Sequence, residues 1–178
     1  MIDWFATHFI ILYAVLYGVT MKIADLFNEH GLKEWFKGSR ILFGFLWGIF
    51  GALLIISNVY VANVLLAMVL AFIVRMRIDY LNHAIATLII IISFLVYGVF
   101  EPLIFFIFLV TFIIFGSIKD YLDDKLKSKG ILQKIFESCW YYVIPTLIYA
   151  LFTSQWIVFY IFTIYIISYD IIKYIGER

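Results

Sequence analysis

The 178-residue chain is 66% hydrophobic and 14% charged, with a formal net charge of +1. A soluble domain is nearer half apolar and a quarter charged, so a soluble globular enzyme and a disordered chain are both excluded. The near-zero charge with no free basic face argues against nucleic acid as a partner, and one cysteine, Cys139, excludes an internal disulfide or a cysteine cluster for metal.

A helix needs about 20 apolar residues to cross a bilayer, and about 17 at the least. Seven segments approach that length: 4–21, 41–57, 59–74, 81–100, 103–118, 139–152 and 156–172. The breaks inside the pairs are Ser57–Asn58, Glu101–Pro102 and Ser154–Gln155, all turn-forming residues. The ranges 41–74, 81–118 and 139–172 therefore read as tight helical hairpins. A reading with four or five longer helices competes, but the stretch 84–115 is too long for one span and Glu101–Pro102 divides it. The first segment has no basic stretch ahead of it and no small-residue cleavage site, so it reads as a span and not as a cleaved signal. The expected fold is an all-α polytopic transmembrane bundle of about seven helices. It forms one domain over residues 1–178, integral and multi-pass in the lipid bilayer of the cell membrane.

The cations fall in four zones. The first holds Lys22, Lys33, Lys37 and Arg40, and the second Arg75 and Arg77. The third holds Lys119, Lys125, Lys127, Lys129 and Lys134, and the tail Lys173 and Arg178. With seven spans all four zones lie on one side, leaving only Asp3 and Glu101 on the other. The positive-inside rule makes the charged side cytoplasmic, with the N-terminus outside and the C-terminus inside.

The first three zones repeat a pattern. Asp25 is followed by Asn28, Asp79 by Asn82 and Asp120 by Asp123. On a helix, positions i and i+3 share a face, so each zone offers a pair of oxygen ligands at the mouth of the bundle. Mg²⁺ takes one or two carboxylates together with substrate phosphates, and Arg and Lys neutralise the remaining phosphate charge. Acidic helix ends also occur simply as solvated loop residues, Asp120, Asp123 and Asp124 balancing Lys119, Lys125 and Lys127. Both readings stand on the residues alone.

The layout resembles the UbiA superfamily of intramembrane prenyltransferases. The string Ile118-Lys119-Asp120-Tyr121-Leu122-Asp123-Asp124 looks like that family's second Asp-rich motif. Ala24-Asp25-Leu26-Phe27-Asn28 looks like a reduced first motif, with Asn28 in place of a second aspartate and Glu29 as its substitute. Lys37-Gly38-Ser39-Arg40 looks like the family's run into its next span. The resemblance implies a Mg²⁺-dependent transferase that uses an isoprenyl diphosphate and a lipid or aromatic acceptor. In that reading Asp25 and Asp120 are the catalytic pair, and Asp25, Glu29, Asp120 and Asp123 hold the metal. Asn28, Arg75, Arg77, Asp79, Lys119 and Asp124 bind the substrate. The reduced first motif keeps two alternatives open: a non-enzymatic lipid-binding or transport protein, or a scaffold on the same bundle. The shared-site reading requires Asp25 and Asp120 to line one cavity open at the cytoplasmic end.

Other residues read as structural. His30 and His83 lack a third metal ligand nearby and read as loop or interfacial histidines. Asn63 reads as an interhelical hydrogen bonder, and Gly44, Gly48 and Gly51 as a close-packing stripe. Tyr141, Tyr142 and Tyr149 are placed to line a lipid cavity. The stretches 32–40 and 131–137 read as short interfacial helices.

Overall fold

The computed structural model describes residues 8–29, 31–122 and 140–176. Among them are seven helices: α1 (Ile10–Glu29), α2 (Ser39–Ser57), α3 (Val59–Val74), α4 (Leu81–Tyr97), α5 (Pro102–Tyr121), α6 (Trp140–Thr153) and α7 (Trp156–Gly176). Four of them, α1, α2, α5 and α7, are long and apolar enough to cross a membrane, and α3, α4 and α6 are shorter apolar helices.

The expected breaks are chemically specific. Asn58 is extended and its side chain accepts hydrogen bonds from the Tyr60 and Val61 amides at 3.0 and 3.1 Å, capping α3. Pro102 opens α5, where its missing N–H costs nothing. Ser154 turns between α6 and α7 in a left-handed conformation.

Helix α3 is central. Ten of its sixteen residues are buried, so its apolar surface faces protein on most sides. Around it the neighbours run α4, α2, α1, α7, α6 and α5, with α3 packed between α4 and α5. Two expected hairpins form, α2–α3 and α6–α7. The third, over 81–118, does not: α4 packs on α2 and α5 packs on α3. The reason is a polar clamp. Asn63 on α3 donates to the Val99 carbonyl at 2.8 Å and accepts from the Glu101 amide at 2.9 Å, holding the α4–α5 connection over the end of α3.

The glycine stripe acts as expected. A Cβ on Gly44 would lie 2.5 Å from that of Asn82, and one on Gly48 or Gly51 would run into Ile89 or Ile90. Glycine thus sets the close approach of α2 to α4. Two expectations are corrected. Helix α1 does not end at residue 21 but continues through the first charged zone to Glu29, carrying Asp25 and Asn28. The segment 32–40 is no interfacial helix: it bends and turns before α2, and Trp35 is seated edge-on to Phe27 and Phe43 at 5.6 and 5.4 Å. The stretch 131–137 lies outside the described residues.

The end of α3 is built with care. The Arg77 amide donates to the Phe72 carbonyl and the Met76 amide to that of Ile73, which is the pairing of a Schellman cap. The left-handed position usually given to glycine is held by Met76, with φ 55° and 82% exposed. A left-handed L-residue costs about 1–2 kcal/mol. Met76→Gly is therefore expected to raise stability by about 1 kcal/mol, seen as a higher unfolding midpoint in detergent.

Candidate functional site

A cavity of about 310 Å³ lies where the C-terminal turns of α1, α3, α5 and α7 meet the first turns of α4 and α6. It is within the size range of small-molecule sites. Asp25 and Asp120 both line it, with Arg75, Arg77, Lys119 and His83. Phe72, Trp47, Tyr141, Tyr142, Tyr165 and Tyr169 supply its aromatic wall.

Asp120 forms one pole. Its Oδ2 accepts from Arg75 Nε at 3.0 Å and Nη2 at 2.7 Å, and its Oδ1 lies 2.6 Å from Arg77 Nη2. The Arg75 side chain is 6% exposed, against 42% for Arg77, so the first arginine is the deep member and the second faces the mouth. Burial pushes the Arg75 guanidinium down. Its hydrogen bonds to Asp120, with Tyr142 and the Asp120 charge, outweigh that and hold it above its ordinary value. Arg75 Nη1 is buried and makes no hydrogen bond. It lies against Gly116, where an added Cβ would meet the guanidinium within bonding distance. The bare backbone of α5 at that residue is what lets the guanidinium lie so deep.

Asp25 forms the other pole. It is buried at 6% exposure on α1. Its Oδ1 lies 3.0 Å from His83 Nε2, and its Oδ2 accepts from the Tyr169 hydroxyl at 2.8 Å. The His83 ring is itself held edge-on by Trp47 and Tyr80 at 5.5 and 5.4 Å. Beside them Lys22, 2% exposed, places its ammonium 5.2 Å from the centroid of the Tyr169 ring.

The remaining expected site residues separate. Lys119 lines the cavity. Asn28 does not; it donates to Asn82 Oδ1 at 2.8 Å, and Asn82 donates to the Ala24 carbonyl at 3.3 Å. That pair ties α1 to α4 just beneath the site. Asp79 is exposed on the α3–α4 connection and lies off the cavity. The i, i+3 pairing expected for Asp79 and Asn82 fails because α3 ends in its cap and α4 begins only at Leu81. Asp123, Asp124 and the side chain of Glu29 lie outside the described residues. Tyr141 and Tyr142 line the cavity as expected, whereas Tyr149 packs on Phe108 at 5.5 Å.

Several lining residues escaped the sequence reading, among them Trp47, Phe72, His83, Tyr165 and Tyr169. His83 carried a usable signal. His83, Ala86, Thr87 and Ile90 are all buried and fall at i, i+3, i+4 and i+7, which places the histidine on the inward stripe of α4.

No protein-family model, no curated protein and no solved structure matches the chain.

All four oxygens of the two carboxylates thus have protein partners. Among the described residues, no three His, Cys, Asp or Glu side chains gather as a metal site. The arrangement can bind an anion through two guanidinium groups and an ammonium. It can also hold an apolar or aromatic group against the tyrosine wall, and keep the Asp25–His83 pair ordered opposite.

Proposed function

We propose that the chain is a UbiA-like multi-pass membrane protein that binds an isoprenyl diphosphate in this cavity and transfers its prenyl group to a lipid or aromatic acceptor. The observation that carries the reading is the meeting of Asp25 and Asp120, far apart in the chain, in one cavity with Arg75, Arg77 and Lys119. The cation zones support a cytoplasmic mouth, with the N-terminus outside.

Arg75, Arg77 and Lys119 bind the diphosphate oxygens. Phe72, Trp47, Tyr141, Tyr142 and Tyr165 exclude water and hold the first part of the tail. Asp25 and Asp120 supply the carboxylate oxygens that Mg²⁺ takes alongside phosphate. When bound, the metal screens the charge that develops on the departing diphosphate. The test is equilibrium binding of farnesyl diphosphate to the purified chain with and without Mg²⁺, followed by product analysis with membrane lipids as acceptors. Binding that Mg²⁺ strengthens, with a prenylated product, is the expected result. A chain that binds neither Mg²⁺ nor the diphosphate ends this reading.

A second reading, lipid binding or transport without catalysis, is favoured by one observation: every oxygen of Asp25 and Asp120 already has a protein nitrogen or hydroxyl within 3.0 Å. Metal-independent binding with no product would select it.

A further inference from the structure

We infer that Asp120 is a built-in counter-anion seated in a phosphate-binding fork. A phosphate-bearing ligand then enters by exchanging with the Asp120 carboxylate for Arg75 and Arg77. This rests on the proposed reading that the ligand carries phosphate, and it changes the role given to Asp120 within it.

The geometry has three parts. First, one carboxylate is shared by two guanidinium groups, Oδ2 on Arg75 and Oδ1 on Arg77. The cluster keeps an excess positive charge, and the Arg75 edge presented to Asp120 is the edge that binds phosphate oxygens bidentately. Second, the Arg75 side chain is more than nine-tenths buried, yet its Nη1 makes no hydrogen bond. A buried donor left unmade costs free energy, and a carboxylate, with two oxygens, leaves it unmade here. A diphosphate brings more acceptor oxygens to the fork than the one carboxylate does. Third, the fork is held in place from outside the ion pair. Gly116 provides the seat for the Arg75 guanidinium, and Asp120 follows it by four residues on the same face of α5. The left-handed turn at Met76 lets Arg75 and Arg77, two residues apart, reach one carboxylate from both sides. The Asp120 side chain is 20% exposed and Arg77 42%, so the exchange takes place at the open edge.

The two roles of Asp120 predict different results. A metal ligand makes Asp120→Asn bind diphosphate more weakly when Mg²⁺ is present and no more tightly in chelator. A counter-anion makes the variant bind it more tightly when no divalent cation is present, because the competing negative charge is gone while an oxygen acceptor for Arg75 remains.

The experiment uses the full chain in detergent with chelator, titrated calorimetrically with inorganic diphosphate. Asp120→Asn is expected to bind at least about tenfold more tightly than the natural chain, and Arg75→Met to lose binding in either background. The same enhancement is expected with farnesyl diphosphate, since the fork reads oxygens and not the tail. Tighter binding of the farnesyl form then assigns the fork to a lipid head group, and equal binding to free diphosphate. A measurement on the unmodified chain guards against a folding defect in the variant. With arginine Nε labelled with nitrogen-15, the Arg75 and Arg77 signals are expected to shift on adding diphosphate while that of Arg40 stays. Diphosphate binding with no gain in Asp120→Asn, or with the two arginine signals unmoved, overturns the counter-anion role and leaves the diphosphate reading standing. No binding by any form overturns both.

Discussion

Asp120→Ala is expected to destabilise the bundle by about 3–5 kcal/mol, the usual cost of removing one member of a buried ion pair. Arg75 would keep its charge in a place where its side chain is only 6% exposed. Its guanidinium cannot swing freely to water, because its Nη1 edge is packed on α5 at Gly116. Arg77, more exposed, loses its partner at little cost. The penalty is therefore the stranded charge of Arg75 and not the sum of two bonds. That account makes a second prediction. The double variant Asp120→Ala, Arg75→Met removes the stranded charge and should recover most of the loss. Unfolding midpoints in mixed micelles decide the matter, and a double variant as unstable as the single one would refute this explanation.

The same ion pair shows how one residue serves both fold and site. Asp120 fixes the end of α3 against the end of α5; the first carries the fork and the second seats it at Gly116. A substitution there changes stability and ligand affinity together, so each must be measured separately. Asp120→Asn keeps an oxygen for Arg75 and is expected to fall between the natural chain and Asp120→Ala in stability. Its expected gain in diphosphate affinity has the opposite sign, and no general loosening of the bundle would produce that.

Much of this was legible in the chain itself, because membrane-class helices announce themselves by length and apolar content. Asn58, Pro102 and Ser154 marked the helix boundaries through local chemistry alone. Asp25, Asp120, Arg75, Arg77 and Lys119 were placed together by the one-sided distribution of charge, and they do line one cavity. The partnering was not legible. Nothing in the local sequence says that Asp25 meets His83 and Tyr169, or that Asp120 is taken by two arginines 45 and 43 residues before it. Those pairings follow from the packing order, α1 between α2 and α7 and α3 between α4 and α5, which short connections do not fix. The apparent repeat misled at Asp79 for a related reason: Asp25 and Asn28 stand together on one helix, whereas Asp79 stands on a connection and Asn82 on the helix after it.

Gly18→Ala is expected to cost about 2–3 kcal/mol through overpacking. A Cβ at Gly18 would stand 2.3 Å from the backbone oxygen of Tyr165 and 3.1 Å from the Tyr169 amide, so α1 and α7 would have to separate. Neither contact is with a flexible side-chain end, and small-residue contacts of this kind are what hold apolar helices together where solvent supplies no drive. The displacement should reach the cavity. Tyr169 lies on the moved segment and donates to Asp25 at 2.8 Å, and Tyr165 packs edge-on to Tyr17 at 5.1 Å. Gly31→Ala is the contrasting variant. Gly31 has φ +68° but nothing within 4 Å of an added Cβ, so it should cost only the conformational strain of about 1 kcal/mol. Thermal unfolding of both variants separates packing from backbone conformation. Hydrogen exchange over the last turns of α7 should then rise for Gly18→Ala and stay unchanged for Gly31→Ala. If both lose the same stability with the same exchange pattern, the α1–α7 contact is not what positions Tyr169 on Asp25.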